Sequence, residues 1–166
     1  MPSRARTVST TLMVSVVLAA CGLRAVLAPA ELDQQSKLFV PSPGKAAIYV
    51  YRLDGFRGSA GSFPVTVNGT ALGRIVNGTY YMVEVEPGEH EVWVGWDQTM
   101  QKTASDPISA KLVLIPVNAV PGRTYFVRVA KTGQDHVAVP EAEGKEELLA
   151  CCKRAADAPK DKELFR

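Results

Sequence analysis

The chain has 166 residues, 46% hydrophobic and 22% charged, a size and mix that suit one compact domain with short flanking segments and exclude a disordered chain or a multi-span membrane protein. Aromatics reach only 7%, while 13 Gly and 11 Pro supply frequent chain reversals, which favours a turn-rich β architecture over a helical bundle. The net charge of +2 arises from Arg4 and Arg6, and the rest of the chain balances seventeen Lys/Arg against seventeen Asp/Glu, so no sequence-wide charge draws the body to nucleic acid or an anionic membrane.

Taken in chain order, the first segment is an address. A basic end at Arg4 and Arg6 is followed by an apolar run from Leu12 to Ala20 and then Cys21, the layout of a secretory signal peptide over 1–20. That run falls well short of the roughly 20 apolar residues a membrane-spanning helix needs. Leu18-Ala19-Ala20-Cys21 resembles the lipobox of bacterial lipoproteins. The resemblance implies cleavage between Ala20 and Cys21, a thioether-linked diacylglycerol on Cys21 and a further acyl chain, typically palmitate, on the freed amine. Each buried methylene contributes about 0.8 kcal/mol, so two or three chains make a durable anchor. Gly22 follows in place of the Asp that commonly signals inner-membrane retention, which leans toward the outer membrane. Residues 21–44 hold Ala28-Pro29-Ala30 and Pro41-Ser42-Pro43-Gly44 without a sustained period. They read as the acylated Cys and a flexible tether, placing the domain about 25 Å from the bilayer.

Residues 45–140 read as an array of short strands, with β-branched and aromatic runs separated by turn pairs. Ala47–Arg52, Phe63–Val67, Thr70–Val76, Thr79–Val85 and His90–Trp96 are divided by Asn68-Gly69, Asn77-Gly78 and Pro87-Gly88. Because Asn-Gly favours two-residue type I′ hairpins, at least four of these strands are expected to form a meander. Ala110–Val117, Thr124–Ala130 and a short His136–Val139 follow. Seven to eight strands cannot bury one face as a single open sheet of this length, so the expected fold is a mainly β, antiparallel two-sheet sandwich. Over 141–158, Glu143, Glu146 and Glu147 precede Lys153 and Arg154, and Leu148, Leu149, Cys152 and Ala156 mark a helical stripe. These features predict one C-terminal amphipathic helix. A charged tail at 159–166 completes the chain.

The runs Gly44–Arg52, Val65–Gly69, Asn77–Tyr81, Val85–His90 and Pro121–Val129 resemble a bacterial lipoprotein domain family of unknown function, whose members look like transthyretin-like or carboxypeptidase-regulatory-like β-sandwiches. The resemblance covers about Gly44 to Val139, through turns and strand starts, and carries no catalytic residue with it. The segment Asp97 to Pro107 is the part that aligns least with it, which leaves the pairing of the Ala110 strand open.

The chemistry-bearing residues are few. His90 and His136 are the two histidines, and His90, at a strand start after Pro87-Gly88, reads as packing or hydrogen bonding rather than as a base. Zinc needs three or four ligands, so no metal is expected. Gly55, Gly58 and Gly61 carry no nucleotide-binding pattern and read as a loop; Asn68-Gly69-Thr70 and Asn77-Gly78-Thr79 are explained as turns rather than glycosylation sites. Neighbouring helix positions diverge by about 100°, so for Cys151-Cys152 an unbonded pair is favoured over a vicinal disulfide, with an intermolecular bridge through Cys151 a further possibility. Trp93 alternates onto the face opposite Val92 and Val94, and burial against the terminal helix is favoured over a contact patch. The expectation is a lipid-anchored module of the bacterial envelope, facing the periplasm, without catalysis or cofactor, that binds a protein or cell-wall partner through the loops 54–62 and 97–107 or a sheet edge. The alternative is a small-molecule binder or hydrolase with an inter-sheet pocket.

Overall fold

The computed structural model describes residues 25–55, 61–95, 113–130 and 136–157. The expected signal peptide, Ala20, Cys21, residues 56–60 of the loop 54–62, Trp96, the loop 97–107 and the charged tail lie outside these. The described residues form α1 (Ala30–Ser36), β1 (Ala46–Arg52), β2 (Phe63–Val67), β3 (Thr70–Ile75), β4 (Thr79–Val85), β5 (Gly88–Val94), β6 (Val113–Ala119), β7 (Thr124–Arg128), β8 (Val137–Val139), α2 (Glu141–Cys151) and β9 (Lys153–Arg154). Two sheets face each other, one ordered β8-β7-β1-β4-β9 and the other β3-β2-β5-β6. The mainly β sandwich with a C-terminal helix is therefore the architecture, with nine strands among the described residues.

Two features differ from the expected antiparallel meander. β1 pairs in parallel with β7, and β4 in parallel with β9. Of the two Asn-Gly pairs only Asn68-Gly69 closes a hairpin: both residues have positive φ, 50° and 74°, as a type I′ turn requires, and β2 pairs with β3 across it. At Asn77-Gly78 only the glycine has positive φ, and the Asn77 amide instead donates to Asp54 Oδ1 at 3.1 Å and to the Gly55 carbonyl. The chain there turns a corner from one sheet to the other rather than folding back on itself. The Pro87-Gly88 link returns it, so β4 and β5 also lie in different sheets.

The space between the sheets is filled by alternating apolar residues: Ile48 and Val50 of β1, Tyr81 and Val85 of β4, Val65 and Val67 of β2, Val92 and Val94 of β5, Ile115 and Val117 of β6. Such alternation buries one face per strand. β1, however, is buried at all seven positions, because a second apolar layer of Ala47, Tyr49, Tyr51, Tyr80, Phe126 and Leu148 covers the outer face of its sheet. A strand buried on both faces needs the unbroken Ala46–Tyr51 apolar run that the sequence carries.

What covers that outer face corrects two boundaries. Residues 25–44, expected as a free tether, carry α1 and lie across the sheet as a strap. The Tyr49 hydroxyl donates to the Ser36 carbonyl (2.7 Å) and the Tyr80 hydroxyl to Asp33 Oδ1 (2.9 Å), while the Phe39 ring meets Tyr49 and Phe126 edge-on. The terminal helix ends at Cys151 rather than running to 158. Cys152 is extended, and Lys153 N and Ala155 N donate to Gly78 O and Tyr80 O. The open edge of β4 thus takes up residues that follow a helical pattern. Leu149, expected in the buried stripe, is 55% exposed, while Leu148 is fully buried.

Candidate functional site

Where β5, β6 and the β2–β3 turn meet, the surface forms a groove of about 750 Å³ that includes Asn68, Glu89, His90, Glu91, Leu114 and Asn118. Each wall has a local cause. Asn68 is fixed by its positive φ in the turn and by its own Oδ1, which accepts from Glu91 N at 3.0 Å. That orientation leaves the Asn68 amide nitrogen to donate to His90 Nδ1 (2.7 Å), and His90 Nε2 lies 2.6 Å from the Glu86 carbonyl. A carbonyl can only accept, so Nε2 carries the proton and the ring is the neutral tautomer. His90 thereby latches the β2–β3 turn to the corner between β4 and β5. With both nitrogens engaged the imidazole is a structural clamp, in agreement with its sequence reading.

The second histidine is elsewhere. His136 is buried, accepts from Ala130 N at 3.1 Å through Nδ1 and packs edge-on against Phe63. The structure thus does not bring the two histidines together. Among the described residues no group of three His, Cys, Asp or Glu side chains is placed to hold a metal ion. The groove combines two carboxylates and two amides with an apolar floor, suited to hydrogen-bonding a polar chain laid along β6, one of the two edge strands of its sheet among the described residues. Pro116 within β6 contributes no N–H, so this edge offers an interrupted ladder.

Trp93 corrects a further expectation. It pairs with Thr66 and Leu114 on the outer face of the four-stranded sheet, whereas α2 packs against β7 of the other sheet. The terminal helix therefore does not cover Trp93. Its indole N–H donates to Glu91 Oε2 at 3.0 Å, next to the groove.

Two polar clusters pin the covering layer. Asp33 accepts from Arg154 N (2.8 Å), Tyr80 (2.9 Å) and Lys37 Nζ (2.9 Å). Burial alone would raise its carboxyl, but these donors outweigh burial and hold it below the usual range. In the other cluster Glu147 accepts from Tyr51 and Arg128, and Arg128 also reaches Glu143. Burial first and the Glu147 carboxylate second push the Tyr51 hydroxyl far above the ordinary tyrosine value; burial moves Tyr49 up to about 12. Sequence reading missed Asp33. A seven-residue helix shows no clear period, although Pro29 before it and Glu31 and Asp33 in its first turn are the signals that could have found it.

Cys151 and Cys152 are joined as a vicinal disulfide, where the unbonded pair was favoured. The 100° divergence of helical neighbours does not apply, because the helix stops between them and Cys152 adopts φ −118°, ψ 147°. Cys152 is buried, its sulfur 3.4 Å from the Arg52 carbonyl.

No helix among the described residues is long and apolar enough to cross a membrane. A family profile described as "Protein of unknown function (DUF2846)" matches residues 42–144. No curated protein matches the chain.

Proposed function

For a chain that belongs to the DUF2846 family, we propose a lipid-anchored, non-catalytic module of the bacterial envelope. The protein is cut between Ala20 and Cys21, acylated at Cys21, held preferentially at the outer membrane, and presents its sandwich to a periplasmic protein or to peptidoglycan. The observation that carries this reading is Leu18-Ala19-Ala20-Cys21 closing a basic and then apolar leader. Two or three acyl chains at one cysteine suffice for durable attachment. Two features of the body support a binding rather than a catalytic role. The inter-sheet space is packed with apolar side chains, and His90 is committed through both nitrogens.

The groove at β5 and β6 is the binding face in this reading, with Glu89 and Asn118 at its rim. Palmitate labelling tests the anchor: the wild type incorporates label and Cys21→Ala does not, whereas equal labelling overturns it. A photo-crosslinker at Asn118 in intact cells tests the face, with adducts to one envelope protein or to muropeptides expected. The same groove favours one rival, a small-molecule binder using its carboxylates and amides. Native mass spectrometry of protein purified from the envelope separates the two readings, since a retained small molecule lost in Glu89→Gln would support the rival.

A further inference from the structure

The strap at 25–44 meets the sheet through hydrogen bonds and one aromatic ring, and its outward side exposes apolar side chains beside Glu31, Gln34 and Gln35. Inward, Asp33, Ser36 and the Phe39 ring make the contacts described above. Outward, five of the nine large exposed apolar side chains among the described residues fall in this one stretch: Val26, Leu27, Leu32, Leu38 and Val40. Val26, Leu38 and Val40 are the most exposed of the nine, at 78%, 70% and 76%. The strap carries Leu32, Leu38 and Val40 across the outer face of the five-stranded sheet, with Val26 and Leu27 at the β9 edge. It leaves the β9 edge at Leu27, passes Tyr80 and Tyr49, and reaches Phe126 at Phe39.

Exposed apolar side chains of this density on one continuous segment mark an interaction surface. The length of chain before Ala25 identifies the partner. From Cys21 to Ala25 there are four Cα steps, which reach at most about 14 Å in any conformation. A domain of about 100 residues has a radius of gyration near 13 Å, so an anchor at Cys21 holds the start of the strap within roughly one molecular radius of the bilayer. Ala25 cannot swing free of the sandwich, because Val26, Ala28 and Leu27 are bonded to Ala156, Arg154 and Ala155.

We infer that the outward side of the 25–40 strap is a lipid-docking face, so that the domain rests on the membrane surface rather than standing off on a tether. This rests on the proposed acylation of Cys21. Over 25–40 Asp33 is turned to the sheet, which leaves Glu31 against Lys37, so the contact is driven by apolar burial at the headgroup boundary and is insensitive to salt.

The test uses the full mature protein, its acylation verified by intact mass, inserted in phosphatidylcholine vesicles with or without brominated acyl chains. Leu38→Trp and, as a second variant, Val40→Trp add an emitter to an exposed strap position, while Leu114→Trp adds one to the outer face of the opposite sheet. A side chain resting about 5–10 Å into the interface is quenched, so the emission added at 38 and 40 should fall about two-fold or more on brominated lipid, equally in low and high salt. The emission added at 114 should not change. If acylated protein shows no more quenching at 38 and 40 than at 114, the docking face is wrong and the anchor stands. If the mature protein carries no acyl chain, the anchor reading fails and the docking face falls with it. Crosslinking of position 38 to a protein in cells, without quenching on vesicles, assigns the surface to that protein and also overturns the inference.

Discussion

Several single residues here are chosen by what leaves no room. A Cβ on Gly144 would sit 2.3 Å from Phe126 Cγ and 2.5 Å from its Cβ, so α2 approaches β7 as closely as it does only because this position lacks a side chain. Gly144→Ala gains up to about 1 kcal/mol of helix propensity but overpacks the contact, and a net destabilisation of about 1–2 kcal/mol is expected in urea unfolding. Gly73 answers a similar need with φ at 145° and Tyr81 Oη 2.2 Å from a built Cβ. It follows a bulge in β3, where Thr66 pairs with Ala71 and Val65 with Gly73. Asp33 carries the pH dependence of the strap. Its folded value lies below the ordinary carboxylate value, so its contribution is present above about pH 4 and is lost as the pH falls through the folded value. Asp33→Asn should cost about 1–3 kcal/mol at neutral pH, and the gap from wild type should close in strong acid when both are unfolded by urea across a pH series.

At the scale of elements, period-2 runs and turn pairs announced the strands, because burial of one face per strand writes itself into the sequence. β1 through β8 fall where alternation and turn chemistry place them, to within a few residues. What stayed illegible was anything decided by a distant partner. Asn77-Gly78 looks locally like Asn68-Gly69, yet Asp54 and Gly55 claim its amide and make it a corner. Cys152 and Ala156 fit a helical stripe, but the open edge of β4 outweighs a helix's last turn. α1 escaped notice because seven residues are too few for a period to emerge. Of the groove, His90 was legible as a structural histidine, while its joining to Asn68 depended on the pairing of β2 with β5. The α2–β9 junction carries its own prediction. Protein purified from an oxidising compartment should run as a monomer on non-reducing gels, its intact mass lower than the dithiol by two hydrogens, and Cys151→Ser should restore one reactive thiol at position 152 only after unfolding, since Cys152 is buried.

At the scale of the whole molecule, the sandwich has two cores rather than one. The layer between the sheets is mostly aliphatic, with Phe63 and Tyr81 among it; the layer beneath α1 and α2 is mostly aromatic, with Tyr49, Tyr51, Tyr80 and Phe126 roofed by Phe39 and Leu148. Removing residues 25–41, which would be harmless for a tether, should uncover this layer, lower the denaturation midpoint sharply and raise dye binding to exposed apolar surface. Phe39→Ala should reproduce part of the loss, about 1–3 kcal/mol, because the ring is only partly buried. The first and last described segments also hold each other: Ala28 N donates to Arg154 O and Ala156 N to Val26 O. Synthesis therefore delivers one jaw of this clasp, residues 26–28, more than a hundred residues before the other, residues 154–156. A nascent chain halted before Arg154 would leave residues 26–28 unfastened, and the seal over the aromatic layer would wait for residues 154–156.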